Sequence, residues 1–370
     1  MTEQNPIQAP ECSPLAAGLS EASMQQQLLL PRAAKPASFW VALVFGVLLL
    51  GSGLLNLLLF FFLLFSSAAS EALGGASMLD MQTRETYLSG PRDSSQKVVV
   101  IDIEGVIAPS QAGLLGVQGE SMVARVERYL GRAAADSNVV GVVLRVDSPG
   151  GAVTDSDQIY QLLREFREET GKSVATYFHA TAASGGYYVG MAGERVFMHP
   201  TGITGSIGVI MGIWNYSKAA KQLGIERVTI VSERTPYKDL LDGAKPVAKG
   251  EKRILLGLVD EMYDRFVDVV AAGRPELSRD QIEKLADGRI YSARQAQRAG
   301  LVDEMGSLRD AVAWVRARCD AEQAKAVRYE PLPSFLDSLM GAQSAEGRIA
   351  SRLGLLDPSP KLLYLWAGGL

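Results

Sequence analysis

Hydrophobic and polar positions change rhythm several times along this chain. Residues 1–35 are rich in Ala, Gln, Ser and Pro and show no steady apolar period, the composition of a disordered tail. From Pro36 to Ser70 there is no charged residue, and Phe39–Phe65 ("FWVALVFGVLLLGSGLLNLLLFFFLLF") is almost wholly apolar. A bilayer core takes about 20 apolar residues in helical form, so this run predicts one transmembrane anchor over 36–70. A cleaved signal peptide has a shorter apolar stretch, about 7–15 residues, close to the N-terminus. The run therefore reads as an uncleaved anchor, and the small residues of "SSAASEA" just after it mark the one place where cleavage would fit. A linker with a short helical patch is expected over 71–96.

From Lys97 the apolar runs shorten and begin to alternate in type. β-Branched runs at Lys97–Gly105, Asn138–Gly151 and Ser173–Ala180 predict buried strands. Helical spacing after a serine or an acidic residue predicts helices over Ser121–Ala134 and Asp155–Thr170. The alternation continues through strands at Gly205–Gly212 and Arg227–Ser232, with a helix at Tyr216–Gly224 between them. A long helix is expected over Ala248–Ala272, then short ones at Ser278–Ala286, Ser292–Ala299 and Ser307–Cys319. Strands alternating with helices predict α/β layering around a largely parallel sheet. The apolar, sparsely charged end of the chain, closing on "KLLYLWAGGL", is too short to span a bilayer and is expected to pack on the body or on a neighbouring subunit.

Charge sharpens this outline. The net charge is −4 with both signs dispersed, which argues against nucleic acid as a partner. Arg32 and Lys35 precede the apolar run, whereas Glu71 and Asp80 follow it before the first positive residue, Arg84. By the positive-inside rule the N-terminal side is cytoplasmic and the body extracytoplasmic. Cys12 and Cys319 are the only cysteines, and His179 and His199 stand in no metal-ligand spacing. No protein-bound catalytic metal is therefore expected.

Three loops, each after an apolar run, carry candidate chemistry. "DSPGG" (Asp147–Gly151) allows close backbone approach, which suits either a plain β–α turn or N–H groups offered to an oxyanion. "AASGGYY" (Ala182–Tyr188) places Ser184 at the mouth of a helix, as a cap or as a nucleophile with the Gly185 N–H beside it. A nucleophilic serine needs a base. Neither His179 nor His199 comes with a recognisable orienting carboxylate. The third loop, "ERTPYKDLLDG" (Glu233–Gly243), contains Lys238, and a lysine serves as a base when it is held neutral. Composition alone does not select it.

Taken in order, "VLRVDSPGG", "ASGGYYVG", "TGITGSIGVI", "PYKDLLD" and "ADGRIYSARQAQRAGLVDEMG" resemble the serine–lysine signal peptide peptidases of the Clp protease/crotonase superfamily. The resemblance runs from about Lys97 to Val327 and, with one copy of the catalytic region, is to the short form of that family. It implies a fold of repeated ββα units over 97–327, with a C-terminal extension over 328–370. It further implies Ser184 as nucleophile, Lys238 as general base, Gly151 and Gly185 as oxyanion donors, and Ser206 as the residue that orients the lysine. The substrates implied are cleaved signal peptides and other hydrophobic peptides at the membrane, and the assembly a ring-like homo-oligomer with shared sites. Asp147 stands where asparagine is frequent in the family, and His199 where a small residue is more common. Two other readings are a crotonase-like acyl-CoA enzyme, against which the anchor and "YKD" argue, and a catalytically silent membrane scaffold, against which the presence of both Ser184 and Lys238 argues.

Overall fold

A computed structural model of the chain describes residues 37–72, 83–109, 120–331 and 361–365. The tail expected over 1–35 and most of the C-terminal extension lie outside the described residues. The chain divides into two units, Met1–Ala76 and Ser77–Leu370.

The first unit contains α1 (Ala37–Ala72). Its span Leu43–Phe61 has a mean hydropathy of 2.4, long and apolar enough to cross a membrane, which fits an anchor.

The second unit begins with β1 (Thr83–Ser89), β2 (Lys97–Glu104), α2 (Met122–Ala135), β3 (Val139–Ser148) and β4 (Gly150–Ala152). There follow α3 (Val153–Thr170), β5 (Ser173–Ala183), α4 (Gly185–Gly190), β6 (Arg195–Met198), β7 (Ile203–Gly205), β8 (Ile210–Gly212) and α5 (Ser217–Gln222). The remainder is α6 (Lys249–Gly273), α7 (Arg279–Leu285), β9 (Ile290–Ser292), α8 (Ala293–Arg298), β10 (Glu304–Met305), α9 (Leu308–Arg318), β11 (Lys325–Pro331) and β12 (Lys361–Leu365). The α/β class read from the alternation is the class observed.

The main sheet runs β1-β11-β2-β3-β5-β6-β10, with β7 on β5 and β9 on β7. From β11 to β10 the pairs are parallel, and β1 closes one edge antiparallel to β11. Side chains of a strand alternate between faces. Val99, Ile101 and Ile103 of β2 enter the larger core with α2, α3, α4 and α6, whereas Val98 and Val100 meet α9 through Ala311, Val312 and Val315. Burying both faces accounts for strands that read as continuous apolar runs.

Serines set several helix starts. The Ser121 Oγ accepts from the Ala124 N–H at 3.1 Å. Ser278 with Gln281, and Ser292 with Gln295, form reciprocal caps. A cap of this kind stabilises by about 1 kcal/mol.

Three expectations are corrected. Arg227–Ser232 forms no strand: Val228 and Ile230 are 78% and 93% exposed, with no sheet edge beside them. Propensity alone cannot make a strand without a pairing partner. The single strand over Gly205–Gly212 is two, β7 and β8, interrupted where Ser206 adopts a φ of 51°. The linker over 71–96 holds β1, whose Thr83 is buried and which pairs with β11 from Thr83↔Pro331 to Ser89↔Ala326. That pairing also draws residues 328–331, read as the start of an extension, into the sheet.

Leu144 on β3 is fully buried in the larger core. Leu144→Ala should cost about 2–5 kcal/mol, read as a lower urea midpoint for the detergent-solubilised chain.

Candidate active site

β5 ends at Ala183 and α4 begins at Gly185, so Ser184 is the corner between them. Its backbone sits at φ 53° and ψ −119°, a conformation that costs a non-glycine residue about 1–3 kcal/mol. The corner is held from both sides. The Ser184 N–H donates to the Gly205 carbonyl at 2.7 Å, and its carbonyl accepts from the Tyr188 N–H at 2.9 Å. Ser184 stands at the N-cap position, yet its hydroxyl makes no capping hydrogen bond, and the residue is 1% exposed. The cap reading left open by the sequence is thereby excluded.

The neighbouring glycines are required by close packing. A Cβ on Gly185 would lie 2.5 Å from the Ser156 Oγ, 3.1 Å from the Gly151 N and 3.2 Å from the Gly150 Cα. A Cβ on Gly186 would meet the Ser148 carbonyl oxygen at 2.6 Å, and one on Gly151 would sit 1.8 Å from the carbonyl oxygen of Ile107. The start of α4 is thus laid directly against the turn between β3 and β4. Gly151 and Gly185, named separately from sequence, come together beside Ser184.

Ser206 joins the same corner. It follows Gly205, whose carbonyl receives the Ser184 N–H, and its own N–H donates to the Arg289 carbonyl at 2.7 Å. Like Ser184 it holds a positive φ, 51°, and is buried. The Thr204 Oγ1 donates to the Ala182 carbonyl at 2.6 Å and locks β7 to β5 at this level.

Several supporting residues carry no sequence signal of their own. The Ser148 Oγ accepts from the Gly150 N–H at 3.1 Å, and the Ser156 Oγ donates to the Ala152 carbonyl at 2.8 Å. The Ile107 backbone brackets Gly151, donating to the Gly150 carbonyl at 2.9 Å and accepting from the Ala152 N–H at 2.7 Å. Asp147 does through Oδ1 what an asparagine oxygen would do there, accepting the Thr181 N–H at 3.0 Å. Below the corner, the Tyr187 hydroxyl donates to the Leu301 carbonyl at 2.9 Å, and burial pushes its pKa well above the ordinary tyrosine value. Tyr188 donates to Asp157, which also pairs with Arg265 at 2.8 Å, and so ties α4 to α3 and α6.

Lys238 does not join this cluster. It lies in an exposed turn, its N–H bonded to the Thr235 carbonyl at 3.1 Å, and its amine has no hydrogen-bond or ion-pair partner among the described residues. The turn is nonetheless fixed. Lys245 bridges Asp239 at 2.7 Å and Glu251 at 2.5 Å, holding both carboxyls below their usual range, while Arg227 pairs with Asp242 at 3.0 Å. His179 and His199 face each other with ring centroids 6.0 Å apart. His179 hydrogen-bonds with Tyr177 and His199 with Thr201, and neither bonds to Ser184. Among the described residues no group of three or more His, Cys, Asp or Glu could hold a metal ion.

Comparisons with known proteins give the chain its class. Residues 166–322 match the model of peptidase family S49. A protein of Enterococcus faecium named as a signal peptide peptidase SppA is 32% identical over 77% of this chain and 85% of its own length. A protease of Synechocystis sp. is 35% identical over 58% of this chain and 77% of its own. Among solved structures, a ClpP1 mutant of Listeria monocytogenes aligns with 59% of this chain and 95% of its own, at 19% identity and a TM-score of 0.37. The protein is a serine peptidase. It belongs to peptidase family S49.

Because a methyl group at residue 151 has no space against Ile107, Gly151→Ala should force β4 off Ile107. A loss of about 1–3 kcal/mol is expected from such overpacking, visible as a lowered Tm. An unchanged Tm would contradict the close approach.

Proposed function

We propose that Ser184 is the nucleophile, that Lys238 of a neighbouring copy of the chain is the general base, and that the enzyme cleaves apolar peptides released at a membrane, cleaved signal peptides among them. One observation carries this reading: a buried, strained serine beside two backbone N–H groups has no proton acceptor among the described residues of its own chain, while Lys238 stands exposed and unpaired on a fixed turn. The surrounding segment also exposes Trp214, Leu223, Ile225, Val228 and Ile230, a concentration of apolar surface typical of an interface. Repeating a head-to-tail contact of this kind closes a ring when the rotation permits.

The chemistry then runs in order. A neutral lysine amine takes the Ser184 proton, and the alkoxide attacks the peptide carbonyl. The oxyanion receives the N–H groups of Gly151 and Gly185, each such donor contributing on the order of 10²–10³ in rate. The ammonium, oriented by the Ser206 hydroxyl, returns its proton to the leaving amine. Water repeats the cycle on the acyl-enzyme. The name of the Enterococcus relative supports the substrate class, as does an apolar helix that would hold the catalytic domain at the membrane. The charge difference across that helix favours a cytoplasmic N-terminus and an extracytoplasmic body.

Ser184→Ala and Lys238→Ala should each lower kcat/KM by roughly 10⁴-fold or more, whereas His179→Ala and His199→Ala should retain activity. A fluorophosphonate probe should label the unmodified chain and not Ser184→Ala.

Mixing Ser184→Ala with Lys238→Ala subunits under conditions of proven exchange should restore part of the activity. A mixture that exchanges yet stays inactive would place each dyad within one chain. In spheroplasts, external protease should digest the body and spare a tag at residue 1, and the reverse pattern would overturn the orientation.

A further inference from the structure

Lys238 has acidic neighbours, Asp239 directly after it and Asp242 four residues on. Its amine pairs with neither among the described residues, because each carboxylate is taken by another cation. Asp242 receives Arg227 at 3.0 Å and the Ala244 N–H at 2.9 Å. Asp239 pairs with Lys245 at 2.7 Å, and the same amine reaches Glu251 at 2.5 Å.

The two carboxylates that share Lys245 depend on it unequally. Glu251 also accepts the Ala248 N–H at 2.9 Å and stands in the first turn of α6, where the helix dipole favours an anion. Asp239 has Lys245 as its one ion-pair partner among the described residues. Lys245 is itself placed by the backbone around it. The Asn215 Nδ2 donates to its carbonyl at 2.6 Å, and the Tyr216 N–H donates to the Gly243 carbonyl at 2.9 Å. A Cβ on Gly243 would collide with the Trp214 carbonyl oxygen, so this crossing is tight. From that fixed start, a flexible stem with three donors on its amine can serve two carboxylates at once.

We propose that Lys245 is a positioning residue for the reaction: by holding Asp239 it keeps that carboxylate from pairing with Lys238, and so leaves the Lys238 amine free to accept the Ser184 proton. The inference rests on Lys238 being the base, as proposed above. An amine held as an ammonium by a carboxylate accepts no proton, and an opposite charge within about 4–6 Å favours the ammonium. Lys238 and Asp239 are joined by one peptide bond, and the long lysine stem lets the amine reach toward its neighbour. At a subunit contact that excludes water, the attraction would be stronger still. The other charged or titratable groups of this surface are Glu226, Glu233, Arg234 and Tyr237 on the same segment, Lys218 and Lys221 on α5, and Lys249, Lys252 and Arg253 at the start of α6. All are exposed, and none forms an ion pair with Asp239 among the described residues.

The test follows kcat/KM against pH for the full detergent-solubilised chain with a fluorogenic apolar peptide. Lys245→Met should move the midpoint of the rising limb upward by about one pH unit or more, lower kcat/KM roughly tenfold on that limb, and keep the alkaline plateau. Lys245→Met/Asp239→Asn lacks the bridge too, but it also lacks the competing carboxylate, and its midpoint should return to that of the unmodified chain. Lys245→Arg, which keeps a cation between the carboxylates, should hold the midpoint in place. An unmoved midpoint in Lys245→Met, with or without a lowered plateau, would overturn the proposal, as would a double variant whose midpoint stays high. A second measurement requires no catalysis. In the Ser184→Ala background, acetylation of Lys238 by acetic anhydride, followed by mass spectrometry across pH, reports the free amine directly. Its midpoint should rise with Lys245→Met and fall back when Asp239→Asn is added. Equal acetylation midpoints beside an inactive Lys238→Ala enzyme would refute the role of Lys245 alone. An active Lys238→Ala enzyme would instead refute the base assignment, and with it the catalytic consequence.

Discussion

At residue 151 the chain has no room for a side chain. The Ile107 carbonyl oxygen occupies the place of a Cβ, and the backbone of Ile107 ties down Gly150 and Ala152 on either side. That close approach fixes β4, and β4 in turn fixes where α4 can start, because Gly185 and Gly186 rest on Gly150, Gly151 and Ser148. The strained corner at Ser184 follows from the same arrangement. With β5 locked to β7 and α4 pressed on β4, the residue between them can satisfy its N–H on Gly205 only at a positive φ. About 1–3 kcal/mol of strain at each of Ser184 and Ser206 is tolerable because surrounding packing over-determines both.

The catalytic elements divide by mechanical character. Ser184, the proposed nucleophile, and Gly151 and Gly185, the proposed oxyanion donors, rest on the parallel sheet, where buried side chains on both faces leave little freedom. The proposed base is carried by an exposed segment, held in shape by ion pairs at Lys245 and Arg227 rather than by a core. Division of the dyad between two copies would make the peptidase inactive until assembled, since an isolated serine is a poor nucleophile.

Local pattern determined a good deal of this protein. Continuous apolar character specified α1, β-branched runs specified β2, β3 and β5, and serine caps located α2, α7 and α8, because burial and capping act over a few neighbouring residues. The ordered motifs identified Ser184, Gly151, Gly185, Ser206 and Lys238 through resemblance. Tertiary structure alone decided that Arg227–Ser232 is no strand, that β1 belongs to the sheet, and that two separate glycine loops meet at one serine. It also decided that Lys238 is exposed and makes no hydrogen bond to Ser184 among the described residues, and that residues 361–365 lie along β4. Each of these depends on which distant backbone lies alongside. Pairing between remote segments is set by the whole fold, and a short stretch of sequence carries no record of its partner.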